Sequence, residues 1–272
     1  MIVDDTARER VRTAEVGGGI ELAYVRFDNR DIGLSTKVGG GPPNVIAGAL
    51  GLTGSARYTL VDMAADAAGL LDALGIDRAH VVGASLGGMI GQTLAARHPD
   101  RIASLCSIMA SPGGRRPSVM PRPSVLGTLL ARPPSEREAY AEHVARIFAR
   151  IGSPAYEADF DELREKSLLM YDRCFYPIGG ARQLMAVMAS GDRTAELRGI
   201  RCPTLVIHGK ADKLVPASGG IAVADAIDGA RLELIEGMGH DLPMALWPRL
   251  TRSIADNAAR ARPAADAAAA RP

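Results

Sequence analysis

From Ala79 to Arg97 the chain passes from a short apolar run, AHVVGA, through Gly83-Ala84-Ser85-Leu86-Gly87 into GGMIGQTLAARHP, a helical pattern stopped by Pro99. Few folds accommodate that succession. A run of this kind predicts a strand buried on both faces, as in a parallel sheet with helices on either side. Small residues two before and two after the serine permit a sharp turn, which lifts the Ser85 hydroxyl above the sheet edge. The helix that begins near Leu86 aims free N–H groups at the same place. A glycine-rich turn with an incidental serine is the competing reading. The strand before and the helix after favour a nucleophile.

The same alternation continues on both sides of this segment. After a Gly/Pro-rich loop (Val38 to Ser55), Leu60, Met63, Ala64, Ala67, Leu70, Leu71 and Leu74 recur at helical spacing, and Gly75 ends the helix. RIASLCSIMAS reads as the next strand. CPTLVIHG, a helix near Ala217 to Ile227, RLELIEG and a final helix from about Pro243 to Asn257 complete the series. Strands alternating with helices imply a parallel sheet with right-handed crossovers, an α/β fold. Between Pro112 and Arg198 the rhythm breaks, and a proline-rich stretch gives way to SEREAYAEHVARIFARI, YEADFDELREKSLLMYDRCF and PIGGARQLMAVMASG. The expected organisation is therefore a core of residues 1–111 and 199–257 with a helical insertion at 112–198. Bounded by proline and loop residues, the insertion is expected to govern substrate choice rather than folding of the sheet. Residues 258–272, rich in Ala, Pro and Arg without an apolar face, read as a disordered tail.

Charge and cysteine usage exclude several functions. A formal net charge of +1 in 272 residues gives no field for nucleic acid or an anionic membrane surface. Arg115, Arg116 and Arg122 are interleaved with prolines and lack aromatic partners, so they read as a solvated loop. Cys106, Cys174 and Cys202 have no metal-type spacing, and no metal or other cofactor is expected. Free cysteines, an N-terminus without a signal-peptide pattern and the absence of a membrane-length apolar run point to the cytoplasm.

An activated serine needs a base and an acid from later strand ends. Asp212 follows LVIHGKA, and His240 follows LELIEGMG, each just past a strand. The order Ser, Asp, His is the one in which a nucleophile elbow is completed. His240 would take the serine proton, while Asp212 would hold the imidazole tautomer and stabilise the imidazolium. The main rival position for the acid, Ala110 to Pro112, contains no carboxylate. His80 opens the strand before the elbow, His98 lies in the last turn of a helix and His143 lies on the insertion. His208 ends the strand before Asp212, where a supporting hydrogen bond is the expected role.

FDNRDIGLST (Phe27 to Thr36), MAADAAGLLDALGIDRAHVVGASLGG (Met63 to Gly88), PTLVIHGKADKLVP (Pro203 to Pro216) and IEGMGHDLP (Ile235 to Pro243) carry a family likeness. Through them the chain resembles α/β-hydrolases of the carboxylesterase and lipase type, close to bacterial esterases such as the aclacinomycin methylesterases, over roughly Val25 to Asn257. The resemblance implies hydrolysis of a small, apolar carboxylic ester through an acyl-enzyme, with the insertion as a cap over the site. Met170, Tyr171, Phe175, Tyr176, Met185 and Met188 would then either line an acyl pocket or pack the cap onto the sheet. Ser85 stands where haloalkane dehalogenases and epoxide hydrolases carry an aspartate, which speaks against both. A perhydrolase or haloperoxidase without cofactor, and a carbon–carbon bond hydrolase, share the same triad. The N-terminal strands depart from the family pattern. GGGIELAY runs directly into VRFDNRD, with no room for the strand, oxyanion loop and helix that normally precede it. Either the elbow strand lacks a neighbour, or Ile20 to Phe27 slides in as one continuous strand. The retained oxyanion donor would be the Leu86 N–H alone, and a non-catalytic protein of the same fold is the reading from another class.

Overall fold

The computed structural model describes residues 12–15, 21–115, 120–156 and 158–261. Strand β1 (Arg12–Glu15) pairs antiparallel with β2 (Glu21–Tyr24), Arg12 opposite Tyr24. Within the following loop, α1 (Val45–Ala49) is nucleated by Asn44, whose side chain accepts the Ala47 N–H; nothing in the Gly/Pro-rich sequence predicts it. Helix α2 (Leu60–Ala73) starts at a capping box in which Thr59 and Asp62 bond each other's backbone. It ends at Gly75, whose φ of +65° suits glycine, with Gly75 N–H to Asp72 O and Ile76 N–H to Leu71 O.

Next come β3 (Ala79–Ala84), α3 (Leu86–Arg97) and β4 (Ile102–Ile108). Five helices then intervene: α4 (Pro123–Leu130), α5 (Arg137–Ile151), α6 (Phe160–Arg173), α7 (Pro177–Ser190) and α8 (Thr194–Leu197). Three of them sit where the sequence predicts helices, and α4 occupies the stretch read as merely proline-rich. The chain closes with β5 (Thr204–Gly209), α9 (Ala217–Ala226), β6 (Arg231–Ile235) and α10 (Trp247–Ala259). Helix α10 overruns the expected start of the tail, and Arg260 beyond it bonds the carbonyl of Gly229. Residues 262–272, most of the tail, lie outside the described residues.

Strands β3, β4, β5 and β6 form one sheet in that order, every pair parallel. Strands β4 and β5 are buried throughout, and their alternate residues face two separate cores. Leu105 and Val206 join Leu60, Met63, Ile90, Leu94 and Val223 under α2, α3 and α9. Cys106, Ile108, Leu205 and Ile207 join Ile235 and Leu250 under α10.

The reading of β3 as a strand buried on both faces is corrected. His80, Val82 and Ala84 are exposed, Val82 at 52%, because β3 is the sheet's edge and α10 covers β4 and β5 instead. Strand β2 does not slide in beside it; its partner is β1. Among the described residues β3 has no second neighbour, in keeping with the incomplete N-terminal strands.

The inserted helices are also tied to the sheet layer more closely than the sequence suggests. Ala186 of α7 and Leu197 of α8 are wholly buried in the first core. Ser190 Oγ accepts the Leu60 N–H at 2.9 Å, capping α2 from the far side of the insertion. Arg182 of α7 lies 3.2 Å from Asp31, both fully buried, and also donates to the carbonyls of Val38 and Gly40.

Candidate active site

Ser85 occupies the turn between β3 and α3 with φ 53° and ψ −118°, a left-handed conformation that a non-glycine residue holds only under constraint. Close approach requires glycine at 83 and 88, whereas a Cβ on Gly87 would meet open space. A Cβ on Gly83 would run into the Gly87 carbonyl, and one on Gly88 would come within 2.7 Å of Ala110 Cβ. The turn is pinned by Ser85 N–H donating to Ile108 O at 2.8 Å. Leu86 is the first residue of α3, so its N–H has no intrahelical acceptor.

Asp212 follows β5 and is buried. Its Oδ1 accepts the N–H groups of Leu214 and Val215, each at 2.9 Å. Its Oδ2 lies 2.7 Å from His240 Nδ1. His240, buried in the loop after β6, places Nε2 at 2.9 Å from Ser85 Oγ. Because a carboxylate only accepts, the hydrogen belongs on Nδ1, and Nε2 is left to accept from the serine hydroxyl. Burial pushes the Asp212 carboxyl up, but hydrogen bonds from His208 and His240 outweigh it and hold it below the usual carboxylate range. His208 supplies its share from Nε2, 3.5 Å from Asp212 Oδ2 and 2.8 Å from Val215 O.

Beneath the elbow lies a polar network that the sequence does not announce. Arg193, only 4% exposed, donates to Met89 O, to Gln92 Oε1 at 3.0 Å and to Ser111 O at 2.8 Å. Gln92 in turn donates to Ser107 Oγ at 2.9 Å. Burial lowers the Arg193 pKa to about 10 against the opposing pull of Glu196 and Asp192, so it stays charged at neutral pH. The cation thereby joins α3, which follows Ser85, to the end of β4. In the sequence GDRTAEL it looks like one more solvated arginine.

Serine, histidine and aspartate thus meet at the C-terminal edge of a parallel sheet, in chain order Ser, Asp, His. The family described as the alpha/beta hydrolase fold matches residues 23–244. The chain belongs to the α/β-hydrolase fold family. Among its relatives, rhodomycin D methylesterase DnrP of Streptomyces peucetius is 29% identical over 85% of this chain and 79% of its own. The 2-hydroxymuconate semialdehyde hydrolase of Pseudomonas sp. (strain CF600) is 30% identical over 73% of this chain and 68% of its own. Among solved structures, the enol-lactonase from Burkholderia xenovorans LB400 superposes with a TM-score of 0.60 at 25% identity, covering 86% of this chain and 79% of that one.

In this α/β-hydrolase the side chains offered as pocket lining have packing partners of their own. Tyr171 and Phe175 stack with centroids 4.7 Å apart, Tyr140 of α5 closes the cluster, and Tyr171 OH donates to Ser135 O. Met185 and Met188 abut Gly48, where a Cβ would meet Met185 Cε at 2.7 Å and Met188 Sδ at 2.9 Å, so both pack α7 against α1. Tyr176 OH lies 3.3 Å from Arg182 Nη1, and Met170 is half exposed.

Proposed function

We propose that this α/β-hydrolase cleaves a small-molecule, apolar carboxylic ester through an acyl-enzyme on Ser85. The observation that carries the reading is the unbroken line from Asp212 Oδ2 through His240 to Ser85 Oγ, at 2.7 and 2.9 Å. The Ser85 proton passes to His240 Nε2 as Oγ attacks the ester carbonyl. His240, now a cation held by Asp212, returns that proton to the leaving alkoxide. Water then enters, His240 takes its proton, and the acyl group leaves as the free acid. The tetrahedral oxygen anion forms beside the Leu86 N–H, the one donor whose place the elbow fixes. Relatives named as methylesterases make methyl esters the first substrates to assay.

One donor fixed by the elbow among the described residues, where two are usual, sets the expected rate. Loss of an oxyanion donor costs about 10²–10³ in turnover, so the chain is expected to be a slow esterase. Labelling by a fluorophosphonate, with Ser85→Ala as control, tests both points. The intact chain is expected to label, Ser85→Ala not at all. A chain with a related esterase's oxyanion strand, loop and helix grafted between Tyr24 and Val25 is expected to label faster. Labelling that survives Ser85→Ala in a folded protein sinks the nucleophile. Equal rates for the intact and grafted chains sink the deficit.

A second reading is carbon–carbon bond hydrolysis. The 2-hydroxymuconate semialdehyde hydrolases, 28–30% identical to this chain, support it. Turnover of 2-hydroxymuconate semialdehyde in preference to methyl esters would decide for it.

A further inference from the structure

His240 sits on a short loop, yet its ring must meet partners on two other loops at once, Asp212 Oδ2 and Ser85 Oγ. Hydrogen bonds weaken steeply once misaligned, so a loop free to shift would forfeit both. The end of α5, not the sheet alone, holds this loop in place. The His240 N–H donates to Ile151 O at 2.8 Å, and the Ala155 N–H donates to Gly237 O at 3.3 Å. Gly239 N–H donates to the buried Ser153 Oγ at 2.8 Å, and that hydroxyl spends its own proton on Asp241 Oδ1. Absence of a side chain at Gly239 makes the approach possible, because a Cβ there would strike the Gly152 carbonyl and lie 2.7 Å from Ile151 O. Four positions of the histidine loop, 237 and 239 to 241, are thus tied to residues 151–155.

We propose that Ser153 and Asp241 form a clamp through which the end of α5 holds the His240 loop where its imidazole bridges Asp212 and Ser85. Both are positioning residues for the base, and the proposal rests on the triad reading above. Ser153 is the pivot: its hydroxyl accepts from the loop backbone and donates to the loop side chain, so one atom fixes both sides of His240. Asp241 serves as an acceptor, a role that asparagine can fill through its carbonyl oxygen.

The test reads the geometry of His240 directly in the full chain, whatever its turnover. The proton on His240 Nδ1, bonded to Asp212, is followed by NMR in histidine-labelled protein and assigned through its loss in His240→Gln. Ser153→Ala and Asp241→Ala are expected to speed its exchange with water at least about tenfold, since each removes a partly buried bond to a charged group that resists opening. Asp241→Asn is expected to keep the wild-type rate. If Ser153→Ala does not fold, the Asp241 pair decides alone. Wild-type exchange in the alanine variants overturns the clamp, and so does a speeding no greater than that of the core amides of 204–209, which a loss of stability alone would give. Exchange as fast in Asp241→Asn as in Asp241→Ala overturns it too. Should the resonance persist unchanged in Asp212→Asn, the triad reading falls and the clamp with it, an outcome separable from failure of the clamp alone.

Discussion

At Asp212 a single carboxylate couples the candidate active site to acid. Its pKa in the folded chain lies below the ordinary 3.8 because donors from His208, His240 and the Val215 backbone outweigh its burial. A group whose folded pKa is depressed contributes stability that is complete above its unfolded value and is lost as pH falls through the folded one. The stability difference between the wild-type chain and Asp212→Asn is therefore expected to be constant from neutral pH to about 4 and to shrink below 3.8. Urea unfolding at pH 7, 5 and 3 measures it, and a difference unchanged at pH 3 would contradict the depressed pKa. The meeting of Ser85, Asp212 and His240 was legible in the sequence because each stands just past an apolar run, in an order that few folds use. Arg193, Ser153 and Asp241 were not, because nothing local distinguishes a buried arginine or serine, or a half-buried aspartate, from a solvated one. Their partners lie far away in the chain, Gln92 for Arg193 and Asp241 for Ser153.

At the scale of elements, helix ends and the alternation of strands with helices were readable from Gly75, Pro99 and the apolar runs, while burial and the order of strands in the sheet were not. AHVVGA and TLVIHG look alike as sequence, yet the second is buried at every residue and the first at only one. The difference lies in what flanks each strand, which no local pattern encodes. An uncharged edge strand with an exposed valine is a template for pairing with another chain. Val82→Lys is accordingly expected to slow heat-induced aggregation while shifting the urea midpoint by no more than about 0.5 kcal/mol in stability. Light scattering on a thermal ramp reads the first and denaturant unfolding the second. Aggregation as fast as wild type would clear β3 of the charge.

For the molecule as a whole, the sequence suggested a sheet domain that could shed its insertion, and the packing argues otherwise. Ala186, Leu197 and the Ser190 cap on Leu60 belong to the first core, so replacing residues 112–198 by a short linker would uncover it. The expected product is insoluble or molten, recognised by dye binding and lost near-ultraviolet dichroism. A soluble core with a cooperative melt would restore the modular view. The strand order bears on ageing and heat as well. Asp212 follows β5, which is paired on both sides, whereas Ser85 follows β3, which among the described residues is paired on one side only, as is β6 before His240. Strands with few neighbours open at lower free energy than the body of a fold. Chemical competence should therefore fail before the protein melts, with amides of 79–84 trading their hydrogens for deuterium earlier than those of 204–209. A sample could then look fully folded by dichroism and already be unable to react at Ser85.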